Sequence, residues 1–237
     1  MSELGGRPLA GITAVVTGAS RGIGRAIAHR LAEAGAELAL LARDASALQV
    51  AAGEVAAHGG RALAIVCDVA DASQVARAAE RVRGELAPVG VVVNNAGAVL
   101  RKPTVAISDD EWHRVLAVNL DGTFFVTRAF LPDLTRTRGR VINVSSIAGR
   151  QGTALLAAYC AAKHGVIGLT RALAEELRAA KVCVNAICPG SVDTAMLREG
   201  MPGASPDMTP DDIARTVLFL AHAAPPALTG ACIDIFG

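Results

Sequence analysis

A chain that alternates short, almost uniformly apolar runs with longer helix-patterned stretches has few folds open to it, and this chain alternates from end to end. The apolar runs are Ile12–Thr17, Glu37–Leu41, Ala62–Cys67, Val89–Asn94, Arg140–Val144, Val182–Cys188 and Cys232–Phe236. Between them, Gly22–Ala34, Ala45–His58, Ala72–Leu86, Asp109–Leu134, Ala157–Ala180 and Pro210–His222 are each long enough for a helix. A strand with one wet face would alternate polar and apolar residues. Continuous apolar runs instead predict strands buried on both faces, and so a parallel sheet. Strands separated by helices read as repeated βαβ units. The expected fold class is α/β: one doubly wound parallel sheet of about seven strands with helices on both faces. Right-handed crossovers then put the ligand crevice outside the carboxyl ends of the strands.

No Pro/Gly/Ser linker, charge block or repeat divides the 237 residues, so 1–237 is expected to be a single domain. Charges nearly cancel, 23 Lys and Arg against 22 Asp and Glu, which argues against nucleic acid or an anionic membrane surface as a partner. The 48 alanines and 3% aromatics suit close helix–sheet packing and argue against a surface built on aromatic stacking. No apolar run reaches the ~18–20 residues of a membrane span, and the N-terminus has no long apolar stretch like a signal peptide's. Five cysteines, an odd number with no Cys-x-x-Cys pair, read as reduced thiols of a cytoplasmic protein. Neither they nor His29, His58, His113, His164 and His222 show metal-ligand spacing, so no metal is expected and the histidines read as structural. Trp112, Phe124 and Phe125 read as core or packing residues.

The end of the first apolar run carries Thr17-Gly18-Ala19-Ser20-Arg21-Gly22-Ile23-Gly24 and leads straight into a helix. Gly18 permits the sharp turn, Gly22 lets backbone approach a pyrophosphate, and Gly24 allows close helix–strand packing. The following helix N-terminus offers free N–H groups and a partial positive charge. A glycine cluster alone is also an ordinary strand–helix turn; its place in the first βαβ unit marks it as a Rossmann-type dinucleotide site. The second run ends Leu40-Leu41-Ala42-Arg43-Asp44. There an acid would bond the ribose 2′-hydroxyl of NAD. Ala42 leaves that position without a carboxylate, while Arg43 and Arg21 can pair with a 2′-phosphate, so the cofactor expected is NADP(H). The alternative leaves Arg43 a solvated loop residue and Asp44 a helix cap.

Further on stand Asn94-Asn95-Ala96-Gly97, Val118-Asn119-Leu120, Val144-Ser145-Ser146, Tyr159-Cys160-Ala161-Ala162-Lys163 and Pro189-Gly190. In this order, and with the glycine turn, the set resembles the short-chain dehydrogenase/reductase family over Gly11–Gly237. Tyr159 and Lys163, four residues apart, share one face of a helix. An ammonium near the phenol would favour phenolate and lower a pKa that is ordinarily about 10. Tyr159 would then donate a proton to a carbonyl oxygen as hydride arrives, or remove it in reverse. Tyr159 is the only tyrosine in the chain.

The resemblance implies further roles. Ser146 matches the carbonyl-orienting serine, whereas Ser145 does not. Asn119 matches the residue that holds a water linking Lys163 to solvent, and Lys163 also bonds the nicotinamide ribose. Gly18, Ser20, Arg21, Gly22, Ile23, Gly24 and Arg43 would hold the phosphates; Asp68 and Val69 would meet the adenine. Asn95, Ala96 and Gly97 would line the adenosine ribose side; Pro189 and Gly190 would also contact the cofactor, with the Val192 backbone and Thr194 holding the carboxamide. Within the family the motifs look most like 3-oxoacyl-[acyl-carrier-protein] reductases, implying a small-molecule or acyl-carrier-bound ketone substrate. The chain departs from that pattern in ending Ile235-Phe236-Gly237, where an Asn-Gly-Gly segment is usual. The stretch Met196–Thr209 is short for a lid, which predicts an open pocket. Arg101, Lys102, Arg150 and Arg198 are candidates for contacting an acidic carrier. Other ketones or secondary alcohols are the alternative substrates, and a catalytically silent NADP(H) sensor is the non-enzymatic one. The resemblance also implies a homotetramer, with Val166, Leu169, Leu173 and Leu177 offered as partly partner-facing.

Overall fold

The strands form where the apolar runs predict them: β1 (Thr13–Thr17), β2 (Glu37–Ala42), β3 (Ala62–Val66), β4 (Val89–Asn94), β5 (Arg140–Val144), β6 (Cys183–Pro189) and β7 (Cys232–Ile235). In the computed structural model, which describes residues 6–237, they make one parallel sheet ordered β3-β2-β1-β4-β5-β6-β7. Every residue of β1, β4 and β6 is buried, which is the physical reason their sequences do not alternate.

The helices are α1 (Gly22–Glu33), α2 (Ala45–Ala57), α3 (Ala72–Glu85), α4 (Asp109–Leu116), α5 (Gly122–Thr137), α6 (Ala157–Glu176), α7 (Ala195–Gly200) and α8 (Pro210–Leu218). Short polar residues start several of them. Asp44 accepts from the Ala47 amide at the head of α2, and Asp71 from Ser73 and Gln74 at the head of α3. Ser108 with Glu111 and Thr209 with Asp212 form capping boxes on α4 and α8. α1 is different: Arg21 gives it no side-chain cap, so its first-turn amides stay available.

Two apolar layers hold the sandwich. On one face Ile27, Leu31, Leu48, Ile213 and Val217 pack against Leu38 and Leu40 of β2. On the other, Val75, Val82, Val126, Phe130 and Leu134 pack against Val92 and Val141. Chain order along the sheet reverses between β1 and β4, so the crevice at that switch point is bounded by the end of β1 and the end of β4.

Several expectations need correction. The stretch Asp109–Leu134 is not one regular helix: a π-helical turn, Ala117–Asp121, separates α4 from α5. Val166, Leu173 and Leu177 face the core of their own subunit, and Leu169 packs against that core from a partly buried position. The exposed positions of α6 are small or polar, such as Ala161, His164, Gly168 and Arg171, so of those four apolar side chains only Leu169 keeps part of its surface open. Phe124 is 39% exposed rather than core; Arg128 stacks over it with its guanidinium carbon 4.9 Å from the ring centroid. Within Met196–Thr209 the first residues form α7, which lies beside Gly97 and Val99, as described below. No helix of the described residues is long and apolar enough to cross a membrane.

Candidate active site

The glycine turn is built by backbone constraint. Gly18 has φ +64°, a left-handed conformation that costs side-chain-bearing residues energy. A Cβ on Gly24 would lie 2.3 Å from the Gly18 carbonyl oxygen, so nothing larger fits where α1 leaves the sheet. β4 locks this turn from the other side of the switch point. The Asn95 side chain donates to the carbonyls of Thr17 (2.9 Å) and Gly18 (3.3 Å). Thr17 Oγ1 accepts from the amides of Asn95 and Ala96. These exchanges engage the Asn95 amide nitrogen and the Ala96 N–H in shaping the turn. Thr17 is a residue to which sequence reasoning gave no role; a hydroxyl ending an otherwise apolar strand was the available signal.

Arg21 and Arg43 both stand at the open edge. Arg43 is 69% exposed, with Nη1 3.9 Å from Asp68 Oδ2. Arg21 lies close enough to Asp44 to help hold that carboxyl below its usual range, after the hydrogen bonds from the Ala47 amide and Ser46. Asp68 also accepts from the Ala70 amide, and buried Val69 packs against Gly122 at the head of α5.

Deeper in, the side chains of Asn119, Ser146, Tyr159 and Lys163 converge from three elements. The π-helical turn carries Asn119, and β5 delivers Ser146 just past its end. Asn119 Nδ2 donates to the carbonyls of Ala98 and Val115, both at 2.8 Å, which ties the segment after β4 to the helix. Ser145 and Ser146 separate cleanly. Ser145 Oγ donates to the Lys163 carbonyl (3.0 Å) and so supports α6, whereas Ser146 Oγ accepts from the Ala148 amide (3.1 Å) and stands near enough to the Tyr159 phenol to draw its pKa down. Lys163 Nζ is 5.6 Å from the Tyr159 ring centroid and donates to the Val144 carbonyl at 2.8 Å. Gly97 marks the meeting point: a Cβ there would lie 2.9 Å from Asn119 Oδ1 and 3.7 Å from Lys163 Nζ.

Electrostatics departs from expectation here. Burial pushes the Tyr159 phenol up to about 12, the Ser146 hydrogen bond pulling only partly the other way. Burial also brings the Lys163 ammonium down to about 8. The reason is dielectric: an interior that excludes water disfavours either charge.

After β6, Pro189 and Gly190 lead through buried Val192 to Thr194. Thr194 Oγ1 caps α7 by accepting from the Leu197 amide and donates to the Val192 carbonyl. α7 then crosses the crevice. Thr194 Cγ2 would sit 3.4 Å from a Cβ on Gly22, Met196 Cε 3.6 Å from one on Gly97, and Val99 Cγ2 2.9 Å from one on Gly200. Arg101 closes the far end through the Gly200 carbonyl (3.4 Å). Sequence reasoning did not find Met196, whose place over Gly97 depends on that docking.

The four cations expected at the rim are mostly engaged. Lys102 pairs with Glu111, Arg150 with Asp234 and Arg198 with Asp193, at 2.8, 2.8 and 2.7 Å. Among the described residues Arg101 meets only a carbonyl.

A glycine turn at a switch point, an uncapped helix N-terminus and a buried Tyr–Lys pair together define a dinucleotide-binding α/β protein equipped for proton transfer. The chain belongs to the short-chain dehydrogenase family, a family of oxidoreductases, whose model matches residues 12–203. It is 38% identical over 241 residues to 3-oxoacyl-[acyl-carrier-protein] reductase FabG of Pseudomonas aeruginosa, covering 97% of each chain. It is 37% identical to (3R)-3-hydroxyacyl-CoA dehydrogenase of Canis lupus familiaris, covering 94% of each. Among solved structures, a variant of actinorhodin polyketide ketoreductase with NADPH superposes with a TM-score of 0.89 at 33% identity, covering 95% of this chain and 96% of that one.

Proposed function

We propose that this protein is an NADPH-dependent ketone reductase whose substrate is a 3-oxoacyl thioester, reduced to the 3-hydroxyacyl thioester. The carrying observation is buried Tyr159 beside Ser146, with Lys163 one helical turn behind and its Nζ 5.6 Å from the Tyr159 ring centroid. The relatives that act on 3-oxoacyl and 3-hydroxyacyl thioesters, and a neighbour seen with NADPH, support the substrate class and the cofactor.

The residues present fit a nicotinamide dinucleotide phosphate. Gly24 clears the cradle, the uncapped head of α1 offers amides to the pyrophosphate, and Arg21 and Arg43 flank the 2′-phosphate position. When bound, that group supplies the hydride. Ser146 hydrogen-bonds the substrate carbonyl and orients it. Tyr159 delivers its proton to the oxygen as negative charge develops there; a pKa near 12 suits an acid that releases its proton only to a forming alkoxide. Lys163, with a pKa near 8, is largely cationic at neutral pH and steadies the phenol's charge after transfer. Asn119 holds the Ala98 segment against the helix and keeps the pocket wall in register. Gly18, Ser20, Gly22, Ile23, Asp68, Val69, Asn95, Ala96, Gly97, Pro189, Gly190, Val192 and Thr194 line the remaining length of the cofactor groove. In this reading the working form is a homotetramer.

A second substrate reading rests on the rim. Three of its four candidate cations are neutralised by carboxylates of this chain, which favours a free ketone or a coenzyme-borne thioester over an acidic carrier protein. The test is NADPH oxidation with acetoacetyl thioesters on carrier protein, coenzyme A and a short thiol, beside cyclic ketones and sugars. Turnover of 3-oxoacyl thioesters far above the other ketones supports the first reading; activity confined to other ketones overturns it.

A further inference from the structure

Asn94 opens the Asn94-Asn95-Ala96-Gly97 run, yet the chemistry above makes no use of its side chain. It is 4% exposed, and in the strand register it lies directly opposite Asn143 of β5, which is completely buried. Asn94 Nδ2 donates to Asn143 Oδ1 and to Thr127 Oγ1 of α5, both at 2.9 Å. Asn143 Nδ2 donates in turn to Thr170 Oγ1 of α6 at 2.9 Å. The hydroxyl protons fix the direction of the whole chain. Thr127 gives its proton to the Thr123 carbonyl, and Thr123 gives its own to the Asn119 carbonyl. Thr170 gives its proton to the Val166 carbonyl. Both threonines must therefore accept from the amides, and neither amide can turn over without losing bonds. The result is a continuous polar path from Asn119 on one helix, across two strands, to a position two turns beyond Lys163 on the other.

Apolar packing would serve a sheet at these two positions, as it does at Val92, Val93, Val141 and Ile142 beside them. Instead two amides are buried, and Asn94 Oδ1 has no hydrogen-bond partner among the described residues. Leaving a buried acceptor unmet weakens the fold. A directional network can compensate by fixing the relative placement of what it joins.

We propose that Asn94, Asn143, Thr127 and Thr170 form a positioning brace that sets the spacing of the Asn119 turn from the α6 face bearing Tyr159 and Lys163. The proposal rests on the reductase reading of that site. None of the four touches the reacting atoms; they act through the two helices.

The test is Thr170→Val, which keeps the shape and removes the acceptor. Thr170→Ser restores the acceptor, and Thr13→Val removes a different buried hydroxyl, one that donates to the Ala87 carbonyl at the far end of β1. Each is assayed for kcat, KM for NADPH, the pH profile of ketone reduction and the denaturation midpoint. Displacing reacting groups by ~1 Å can cost up to about 10²-fold, so Thr170→Val should lose ~10-fold or more in kcat. Its KM for NADPH should hold, its pH profile should shift, and Thr170→Ser should recover both kcat and profile. If kcat and profile stay at wild-type values in Thr170→Val, or Thr13→Val shows the same loss for the same fall in midpoint, the brace is overturned. Should Thr170→Val fail to fold, Thr127→Val on the other arm decides by the same readings. Tyr159→Phe in the same assay separates the two ideas. Retained turnover there defeats the reductase reading, and the brace falls with it; lost turnover there with an unaffected Thr170→Val defeats the brace alone.

Discussion

Tyr159 and Lys163 lie side by side in a place that suits neither charge, and their individual behaviour can be tested. Tyr159→Phe keeps the ring and its packing but removes the transferable proton. It should lower turnover 10²–10⁴-fold while NADPH affinity survives, since the glycine turn is untouched; wild-type turnover with a good ketone would place the acid elsewhere. For Lys163 the sign of the pH effect follows from burial. Its folded-state pKa of about 8 lies below the ordinary 10.5, so from pH 8 upward the unfolded chain binds the proton that the folded chain has released. Stability in the absence of cofactor should therefore rise between pH 8 and 9. Above 9 the buried thiols of Cys67 and Cys188, both pushed up to about 11 by desolvation, act in the opposite direction. Lys163→Met should flatten the rise and unfold at higher denaturant at pH 7, a gain in stability obtained at the expense of activity. Denaturant titrations at several pH values check it; a rise that persists in Lys163→Met would assign the titration to another group. Arg43 makes its test by charge. Removing one charge-assisted contact forfeits ~1.5–3 kcal/mol, so Arg43→Ala should weaken NADPH about 10-fold or more and leave NADH nearly unchanged.

Short elements control access to these residues, and α7 most directly. Its helix spans only six residues, and contacts with other elements hold it in place: Gly22 beside Thr194, Gly97 beside Met196, Val99 beside Gly200. Gly200→Val would drive a methyl into Val99, so α7 should lift from the crevice. Limited proteolysis would then cut within Ala195–Gly200 faster than in the wild-type protein, and equal cutting rates would show that the contact does not hold the strap. The π-helical turn at Ala117–Asp121 works in the reverse sense, since an extra residue in the turn accompanies the inward placement of Asn119. The pattern of Asp109–Leu134 reads equally well as one unbroken helix. Periodicity averages over a dozen residues and does not register a single inserted one.

At the scale of the whole molecule, the crevice joins both halves of the sheet, so whatever fills it should tie them together. NADPH at about a hundred times its dissociation constant should raise unfolding stability by ~2.7 kcal/mol, read as a concentration-dependent rise in Tm; no shift at saturating NADPH would contradict a formed cofactor groove. Light scattering at micromolar concentration should report a tetramer, and a monomer would refute that assembly. On α5 and α6 the surface open to solvent is the small and polar positions of α6 with Phe124 and Arg128 of α5.

The sequence by itself determined the sheet and its helices, because burial on both faces forces apolar runs and helices demand their caps. Strand ends fell within one residue of expectation, and the glycine turn was legible because Gly18 and Gly24 answer to local backbone geometry. Spacing along one helix likewise placed Tyr159 and Lys163 on a shared face. Tertiary structure alone decided the rest. Whether Lys163 lowers the phenol's pKa depends on where its ammonium sits, and only the fold supplies the Val144 carbonyl that accepts its hydrogen bond. The Arg150–Asp234 pair at the rim, the docked α7 and the Asn94–Asn143 pair are long-range meetings of the same kind. A one-dimensional pattern records what each residue can do locally; which partner it meets from a distant part of the chain is fixed only when the sheet brings the strands together.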